Sequence, residues 1–387
     1  MDTDILISGG GVAGLTAAAA FGTKGFRVIC VDSAPVAPED QRSTAFLQPA
    51  IPVLEAAGLW DRLAPQAAPL QVMRIVDAGG PLPEARLVRE FDAAEISDQP
   101  FGWNLPNMLL RKVMAARLED LPNVTHLQGI GTARLATREA GARVALTDGT
   151  TVSARLVIAA DGRDSPMRRA ANIPVRVTRF GQKALAFSVT HDIPHQNVST
   201  EVHRTGGPFT LVPLPDKDGT HRSAIVWMER GAEAERLRGL PPDQLSVAAT
   251  ERSAGILGTL KVDSPTGIFP IIAQVADRMA SERLALMAEA AHVLPPIGAQ
   301  GLNTSLADLA ALLDLAHPDT LGNAAMLEAY HRRRHADVRT RAAAIRALNR
   351  TSMLSVPMMR DLRAFGLQAL HGVTPVRRAL MRAGLGR

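Results

Sequence analysis

The sequence predicts an α/β protein in which one domain of parallel strands and helices is interrupted by a mostly antiparallel sheet. Three observations predict this class. The chain begins with an apolar run, a glycine-rich turn, an alanine-rich helix pattern and a second apolar run, an order typical of a βαβ unit. Residues 175–270 alternate strand-like runs with glycine and proline turns. A strand–loop–helix pattern then returns near Leu284, and the chain after Pro318 reads as helical.

These patterns divide the 387 residues into three parts. We expect a discontinuous Rossmann-like domain at 1–174 and 266–330, an inserted sheet domain at 175–265, and a basic helical region at 331–387. A chain of this length can bury a sizeable core.

The individual elements follow from apolar periodicity and turn residues. In the first part, strands are predicted at Ile5–Ser8, Arg27–Asp32, Val124–Gln128, Val144–Leu146 and Leu156–Ala160. Helices are predicted there at Leu15–Gly25, 50–64 and 106–120. The insert has strand-like runs at Ala184–Thr190, Phe209–Pro213 and Ser223–Met228, and a helix at Asp243–Leu257. A strand at Leu284–Ala288 and a helix from Gln300 resume the first domain.

The turn after the first strand contains Gly9, Gly11 and Gly14. In this GxGxxG spacing the first glycine permits a tight turn, the second lets a pyrophosphate approach the backbone, and the third lets the helix pack on the strand. Asp32 ends the next strand, where an acidic residue accepts hydrogen bonds from a ribose. No GK[ST] follows the glycines, which excludes a P-loop. The pattern predicts a dinucleotide site and does not by itself separate FAD from NAD.

Two later segments follow strand ends. In the first, Asp161-Gly162 precedes Arg168, although Asp-Gly alone is an ordinary turn signal. In the second, Glu289 ends an apolar run, and a proline- and glycine-rich loop at 295–301 opens a helix. The loop's N–H groups and the helix dipole could stabilise negative charge on a ligand ring, and the carboxylate could bind sugar-like hydroxyls.

Together the three segments resemble those of the class A FAD-dependent aromatic hydroxylases, which combine a dinucleotide fingerprint with a middle Asp-Gly motif and a late Gly-Asp motif. Asp161, Gly162 and Arg168 fall on the middle motif. The late motif is Ala288-Glu289 here, so the carboxylate is retained on a side chain one methylene longer. The resemblance covers essentially the whole chain and narrows to the ubiquinone-biosynthesis hydroxylases.

The resemblance implies which residues bind FAD. The segment at Arg42 is similar to one near the flavin phosphates, and the helix with Asn107 and Arg111 to one that faces FAD. The complete predicted set is Gly9, Gly11, Val12, Ala13, Gly14, Asp32, Arg42, Asn107, Arg111, Asp161, Gly162, Arg168, Glu289, Gly298, Gln300, Gly301, Leu302 and Asn303. Pro295 and Pro296 are expected beside the reacting ring. His292 is a candidate for proton transfer, although a lone histidine is more often structural.

The resemblance also implies the chemistry. NADH or NADPH would reduce FAD, O2 would form a flavin C4a-hydroperoxide, and an electron-rich polyprenylated phenol would receive one oxygen atom during ubiquinone biosynthesis. Two other functions stay open: a class A hydroxylase of a soluble aromatic or secondary metabolite, and a flavin-binding assembly subunit without turnover.

Charge and composition limit which partners the protein could have. Residues 331–387 hold 13 Arg and 2 Asp, a net charge of +11, so the rest carries −6 of the chain total of +5. With apolar residues between Met353 and Leu367, this region fits an interfacial helix, a docking face in a ubiquinone-biosynthesis complex, or a helix that covers the first domain. A polyprenylated phenol would need membrane access or a delivering protein.

No metal site and no nucleic-acid partner are expected, because His331 and His335 flank three arginines and aromatic residues are few. The single cysteine, Cys30, lies in an apolar run and is expected to be a buried thiol. Without a signal-peptide or membrane-span pattern, we expect a cytoplasmic protein, compatible with peripheral attachment to the inner face of the cytoplasmic membrane.

Overall fold

The computed structural model describes residues 1–35, 40–79, 84–204, 206–352 and 371–386, without the side chains of 350–352. The apolar residues between Met353 and Leu367 lie outside this part of the chain.

The first sheet has eight strands and positions the glycine turn. Its strands are β1 (Asp2–Ser8), β2 (Val28–Asp32), β8 (Val124–Gln128), β9 (Thr132–Arg138), β10 (Gly141–Leu146), β11 (Thr151–Ala159), β18 (Ala280–Ser281) and β19 (Leu284–Leu286). The order is β18-β19-β11-β1-β2-β8, and the five strands from β19 to β8 are parallel. The antiparallel pair β9–β10 extends from β11.

The second sheet has nine strands and is mostly antiparallel. Its strands are β5 (Val72–Asp77), β6 (Leu87–Asp92), β12 (Val175–His191), β13 (Val198–His203), β14 (Pro208–Lys217), β15 (Thr220–Arg230), β16 (Leu260–Val262), β17 (Gly267–Ala276) and β20 (His292–Val293). The order is β20-β17-β12-β15-β14-β13-β5-β6, with β16 beside β12, and the β13–β5 pair is parallel. A third sheet holds three short strands, β3 (Ser43–Leu47), β4 (Ala68–Leu70) and β7 (Gly102–Pro106).

Ten α-helices lie in the described residues. They are α1 (Val12–Thr23), α2 (Ile51–Ala56), α3 (Trp60–Leu63), α4 (Asn107–Glu119), α5 (Pro166–Ala170), α6 (Gly231–Arg238), α7 (Pro242–Arg252), α8 (Gln300–Leu315), α9 (Ala324–Ser352) and α10 (Thr374–Leu385). Short 3-10 turns occupy Gln48–Ala50, Ala64–Gln66, Ala93–Glu95 and Ala288–Ala290. No helix in the described ranges combines the length and apolar character needed to cross a bilayer.

Two apolar cores hold the layers together. The larger joins the first sheet to α1, α4 and α8, and the run of small side chains from Ala17 to Ala20 lets α1 lie directly on the strands. The smaller lies between one face of the second sheet and helices α6 and α7. The other face of that sheet is therefore free to line a cavity.

The predicted fold class is confirmed: the first sheet is Rossmann-like and parallel at its centre, the second is mostly antiparallel, and the described C-terminal region is helical. The second sheet exceeds the range 175–265 expected for it, because β5, β6, β17 and β20 lie outside that range. Long-range pairing of β5 with β13 leaves no local signal in residues 60–100. Cys30 is buried, and burial raises the pKa of its thiol to about 12.

Several element boundaries were wrong. The helix predicted at 50–64 is two short helices, because Gly58 adopts φ +66° and ends α2. The helix predicted to Leu257 ends at Arg252, and Ala254 and Gly255 then both take positive φ. The strand predicted to Ala288 stops at Leu286, and Ala288 itself is left-handed.

Candidate active site

A cavity of about 700 Å³ lies between the carboxyl end of the first sheet and the free face of the second sheet. Its volume is within the range of ligand pockets, roughly 300–1,000 Å³. One side, here called the flavin wall, consists of the glycine turn, the loop after β11, the loop before α8, and side chains from 32–44 and α4. The opposite side, the sheet wall, consists of Val72, Met73, Ser199, Glu201, Thr210, Val212 and Val226.

The packing around Gly9 and Gly14 is the packing that the glycine spacing predicted. A Cβ on Gly9, which has φ +114°, would lie 2.3 Å from the carbonyl oxygen of Ala160, so β1 and β11 meet too closely there for a side chain. A Cβ on Gly14 would lie 1.9 Å from the Gly9 carbonyl oxygen, so the third glycine lets α1 pack on the turn. A Cβ on Gly11 would meet no protein atom within 4 Å, because this residue faces the cavity.

Helix α1 begins at Val12, so the free backbone N–H groups of its first turn lie beside Gly11, Val12 and Ala13 on the cavity wall. A helix N-terminus with free N–H groups and a partial positive charge is suited to phosphate. The geometry of this turn therefore fits the pyrophosphate of a dinucleotide.

Asp32 lies at the cavity next to this turn, and its carboxylate crowds Gly10, whose Cβ would lie 2.3 Å from Asp32 Oδ2. The guanidinium of Arg111 on α4 donates to the same oxygen over 3.0 Å. Arg111 Nε is buried, and no residue in the described ranges accepts from it. The predicted residues Asp32 and Arg111 thus lie together. The Asp32 carboxylate offers the cavity an acceptor, and Arg111 Nε–H is a donor without a partner in the described ranges.

Asp161 sits at the end of β11 with Gly162 in the left-handed region at φ +82°. Its Oδ2 accepts from the Ser8 hydroxyl over 3.1 Å and from the Met167 amide over 3.2 Å. Its Oδ1 is buried and has no partner among the described residues. Burial raises the pKa of Asp161 against the opposing effect of these hydrogen bonds. An unpartnered carboxylate oxygen on a cavity wall suits a ligand hydroxyl or N–H.

Arg42 and Asn107 meet on Asp40, a residue that sequence reasoning missed. Arg42 binds Asp40 through two nitrogens, over 2.8 and 2.7 Å, and Asn107 Nδ2 donates to Asp40 over 2.9 Å. Burial would raise the pKa of Asp40, but these donors hold it below its ordinary value. Asp40 is two residues from Arg42 but 67 residues from Asn107 in the sequence, so the cluster had no local pattern.

The loop before α8 contributes backbone and one carboxylate. Gly298 and Ala299 are both left-handed, with φ +62° and +55°, and the chain enters α8 at Gln300 immediately afterwards. Pro296, Gly301 and Leu302 also lie on the wall. Glu289 is exposed to the cavity, and no residue of the described chain hydrogen-bonds to its carboxylate. Free N–H groups at the start of α8 face the same space.

His292 lines the cavity, but its imidazole ring is hydrogen-bonded to a buried carboxylate. It is 2% exposed, and its Nε2–H donates over 2.6 Å to Oδ2 of the fully buried Asp308. Arg334 Nε donates to the other Asp308 oxygen over 2.8 Å. Burial would lower the pKa of Arg334, but Asp308 holds it above its ordinary value. This arrangement favours an anchoring role for His292 over proton transfer.

The chain of charges continues to the loop before α8. Arg334 also donates to Asp337 over 2.7 Å, Asp337 accepts from Arg341 over 2.9 Å, and Arg341 donates to Gln300 Oε1 over 3.1 Å. Gln300 in turn donates to the Gly298 carbonyl. Asp308 also accepts from the Ala288 amide over 3.3 Å. One network therefore fixes both ends of the segment that runs from 288 to 300.

Four predicted residues do not line the cavity: Gly14, Arg168, Pro295 and Asn303. Arg168 is buried, and its guanidinium donates to the carbonyls of Ala290 and Arg163, both over 2.8 Å. Asn303 donates to Ala45 and Ala299 and accepts from Leu47, so it ties β3 to α8. Arg168 and Asn303 thus hold loops of the flavin wall together, and their predicted contact with FAD stays a prediction.

The flavin wall fits FAD: it offers a helix N-terminus for phosphate, Asp32 and Glu289 for hydroxyl groups, and an unpartnered Asp161 oxygen. No group of three or more metal-ligating side chains occurs in the described ranges. The fold and this wall together define the class as a flavoprotein with FAD in an interrupted Rossmann-like domain.

Comparison with known proteins places the chain more narrowly. Residues 2–344 match the FAD binding domain family. The chain is 33% identical to ubiquinone hydroxylase UbiL of Rhodospirillum rubrum, over 99% of this chain and 89% of that protein. It is 27% identical to 3-demethoxyubiquinol 3-hydroxylase of Escherichia coli, over 99% and 98%. The crystal structure of p-nitrophenol 4-monooxygenase PnpA from Pseudomonas putida has the same fold, with a TM-score of 0.81 at 20% identity, over 99% of this chain and 98% of that one.

The protein is therefore an NAD(P)H- and FAD-dependent aromatic-ring monooxygenase of the FAD binding domain family, and within that family it belongs to the ubiquinone-biosynthesis hydroxylases.

Proposed function

We propose that this enzyme hydroxylates the aromatic ring of a polyprenylated phenol in ubiquinone biosynthesis, with NAD(P)H and O2 as co-substrates. The observation that carries the proposal is a cavity in which a wall suited to FAD faces a wall on the second sheet with apolar side chains at Val72, Met73, Val212 and Val226. The similarity to two ubiquinone-pathway hydroxylases over nearly the whole chain supports the substrate class.

The flavin wall would hold FAD in three places. The N-terminus of α1 at Gly11 would bind the pyrophosphate. Asp32 and Arg111 would contact the ribose, and Glu289 would bind the sugar-like hydroxyl groups of the flavin chain. Bound FAD supplies the transfer of two electrons from NAD(P)H to O2. The N–H groups at the start of α8 would stabilise negative charge on the ring, and the network through Asp308 would keep that loop in position.

The sheet wall would hold the substrate ring. Met73, Val212 and Val226 offer apolar contacts, and Leu70, Phe101 and Leu294 extend the apolar surface along the cavity. An apolar enclosure excludes water from the reacting ring and accommodates a prenyl substituent. Asn104 is the buried amide on this side, and its Nδ2 donates to the Pro213 carbonyl over 2.9 Å.

A substrate with a long prenyl tail has to be extracted from a bilayer or received from a protein. Helix α10 carries Arg377, Arg378 and Arg382 and exposes Val376 and Leu380, by 38% and 44%. Such a face suits an anionic membrane surface or an acidic partner in a biosynthetic complex. Gln300 donates to the Gly384 carbonyl, so α10 also adjoins the loop before α8.

Deletion of the gene in its own host tests the proposed pathway. We expect ubiquinone to be lost and a polyprenylated precursor that lacks a ring hydroxyl to accumulate. Re-expression of the wild-type protein should restore ubiquinone, whereas a Gly14→Val variant, which cannot form the glycine turn, should not. Normal ubiquinone without an accumulated precursor would contradict the pathway and favour a soluble aromatic substrate.

A further inference from the structure

Glu201 is the titratable side chain that the central strands of the second sheet contribute to the cavity. Among the described residues of β5, β13, β14 and β15 that line it, the others are apolar or carry a hydroxyl group. Ser199 and Glu201 lie on one face of β13, and Thr210 is the registered neighbour of Glu201 on β14. The carboxylate is therefore on the sheet wall, opposite the flavin wall, where a substrate ring would lie.

The carboxylate is held by His203, two residues further along the same face of β13. His203 Nε2 lies 2.7 Å from Glu201 Oε1, and the two side chains are 14% and 21% exposed. His203 Nδ1 is buried without a hydrogen-bond partner in the described chain, so the imidazole is directed at the carboxylate alone. No described residue hydrogen-bonds to Glu201 Oε2, which leaves that oxygen for a ligand.

The charges around this pair are few. On β5, Asp77 is in register with His203, and its Oδ1 accepts from the Gly79 amide. On β6, Arg89 lies in register with Ile75, the β5 neighbour of Glu201, and donates to the Val88 carbonyl. The β14 neighbours, Pro208 and Thr210, are uncharged.

Helix α10 packs near Ile75 and brings further arginines toward this face. Two of them, Arg377 and Arg378, pair with Glu95. Within the described residues, His203 is thus the titratable side chain in direct contact with the Glu201 carboxylate.

We infer that Glu201 is the catalytic base that accepts the proton of the substrate's phenolic hydroxyl, and that His203 is the positioning residue that orients it. The inference rests on the proposed function. A phenol attacks an oxygen donor more readily as its O–H bond weakens, and a positioned carboxylate can take that proton in the transition state.

The proton and electron changes balance over the reaction. The O–H bond of the substrate breaks, its proton passes to Glu201 Oε2, and its electron pair moves into the ring. The O–O bond of O2 breaks: one atom bonds to the ring carbon, and the other leaves as water, with the hydride of NAD(P)H and one solvent proton supplying the two electrons and the two hydrogens of that water. When the ring regains aromaticity, that carbon loses its hydrogen as a proton, which balances the proton of the new hydroxyl group, and Glu201 returns the stored proton to the phenolic oxygen.

Purified, FAD-loaded protein tests the inference with NAD(P)H, O2 and 2-geranylphenol as the probe. In Glu201→Gln we expect FAD content and thermal midpoint to match the wild type, while the rate of ring hydroxylation falls about 10²-fold and NAD(P)H oxidation is diverted to hydrogen peroxide. At alkaline pH, where the probe ionises in solution, the deficit should narrow.

Two further variants and one control keep the result interpretable. Glu201→Asp should recover part of the rate, and His203→Gln should lower the rate less than Glu201→Gln does, with the same narrowing of the deficit at alkaline pH. Glu251→Gln, at an exposed carboxylate that pairs with Arg204 away from the cavity, is the matched control and should behave as wild type.

Full hydroxylation by Glu201→Gln at every pH would overturn the inference and leave the proposed function intact. Loss of FAD or of folding in both Glu201 variants would overturn it as well, because the residue would then be structural. A wild-type enzyme that oxidises NAD(P)H but hydroxylates no prenylated phenol would overturn the proposed function, and the inference with it.

Discussion

The two walls of the cavity are built by different means. The flavin wall consists of backbone turns at strand ends, and buried charges such as Asp308 and Arg334 fix its loops. The sheet wall consists of side chains on β5, β13, β14 and β15, among them Glu201, whose carboxylate is in contact with His203. Substitutions on the first wall should therefore change FAD binding, whereas those on the second should change turnover with FAD still bound.

The largest effect is expected for Asp308→Ala. The change leaves the buried Arg334 without its main carboxylate and frees His292 and the Ala288 amide. Loss of one partner of a buried ion pair destabilises by about 3–5 kcal/mol. Denaturant unfolding and the flavin-to-protein absorbance ratio measure the two consequences. Asp314→Ala, at an exposed carboxylate on the same helix, is the control, and equal stability of the two variants would contradict the anchoring role.

Two substitutions in the glycine turn should distinguish its role in helix packing from its role in FAD binding. Gly14→Ala places a Cβ 1.9 Å from a carbonyl oxygen, and we expect destabilisation of about 1–3 kcal/mol with loss of FAD. Gly11→Ala meets no protein atom, so the apoprotein should keep its thermal midpoint while FAD affinity falls. Apoprotein melting and FAD titration distinguish the two. If Gly11→Ala bound FAD normally, the assignment of this residue to the pyrophosphate would be wrong.

On the sheet wall, Val226→Phe should fill the substrate side of the cavity without disturbing the flavin wall. We expect hydroxylation to fall about tenfold or more, since pocket shape discriminates at this level, with FAD content unchanged. Val177→Phe, at an exposed position in the same sheet, provides the control. Joint loss of FAD and activity in Val226→Phe would show that the walls are not independent.

Asp161 should make the apoprotein sensitive to pH. Because burial raises the pKa of this carboxyl in the folded state, the fold binds the proton more tightly than the unfolded chain. Stability therefore falls as pH rises from the unfolded pKa through the folded pKa. Asp161→Asn should melt above wild-type apoprotein at neutral pH, with a smaller difference at acid pH, and should bind FAD more weakly. A lower melting temperature at neutral pH would count against an uncompensated carboxylate.

The smallest effect concerns Ala288, which stands where the related motif has glycine. At φ +55° an alanine is strained, and Ala288→Gly should relieve that strain at the cost of chain entropy. We expect a net stabilisation of at most about 1 kcal/mol in denaturant unfolding. The matched change Ala290→Gly, at a buried residue without positive φ, should destabilise instead.

The sequence was informative wherever a site depends on local chain conformation. Gly9, Gly11, Gly14 and Gly162 were predictable, since a turn after a strand requires these residues in this spacing. Asp308 was not, because it lies 16 residues from His292 and meets it only when α8 folds back on β20.

The residues of the sheet wall could not be predicted from the sequence for a similar reason. Glu201 alternates with buried residues in an ordinary strand, and its neighbours β5 and β14 are set by pairing that no short window reveals. Arg168 and Asn303 were assigned to FAD from motif position, but the hydrogen bonds that occupy both side chains depend on tertiary structure.

Oxygen labelling tests whether the enzyme transfers an oxygen atom from O2 to the ring of a prenylated phenol. Purified, FAD-loaded enzyme is incubated with NAD(P)H, 2-geranylphenol and ¹⁸O2, and the product is analysed by mass spectrometry. We expect a ring-hydroxylated product that carries one ¹⁸O atom. This product should form only when NAD(P)H, 2-geranylphenol and O2 are all present. Oxidation of NAD(P)H that yields hydrogen peroxide alone, with no labelled phenol, would contradict the proposed function.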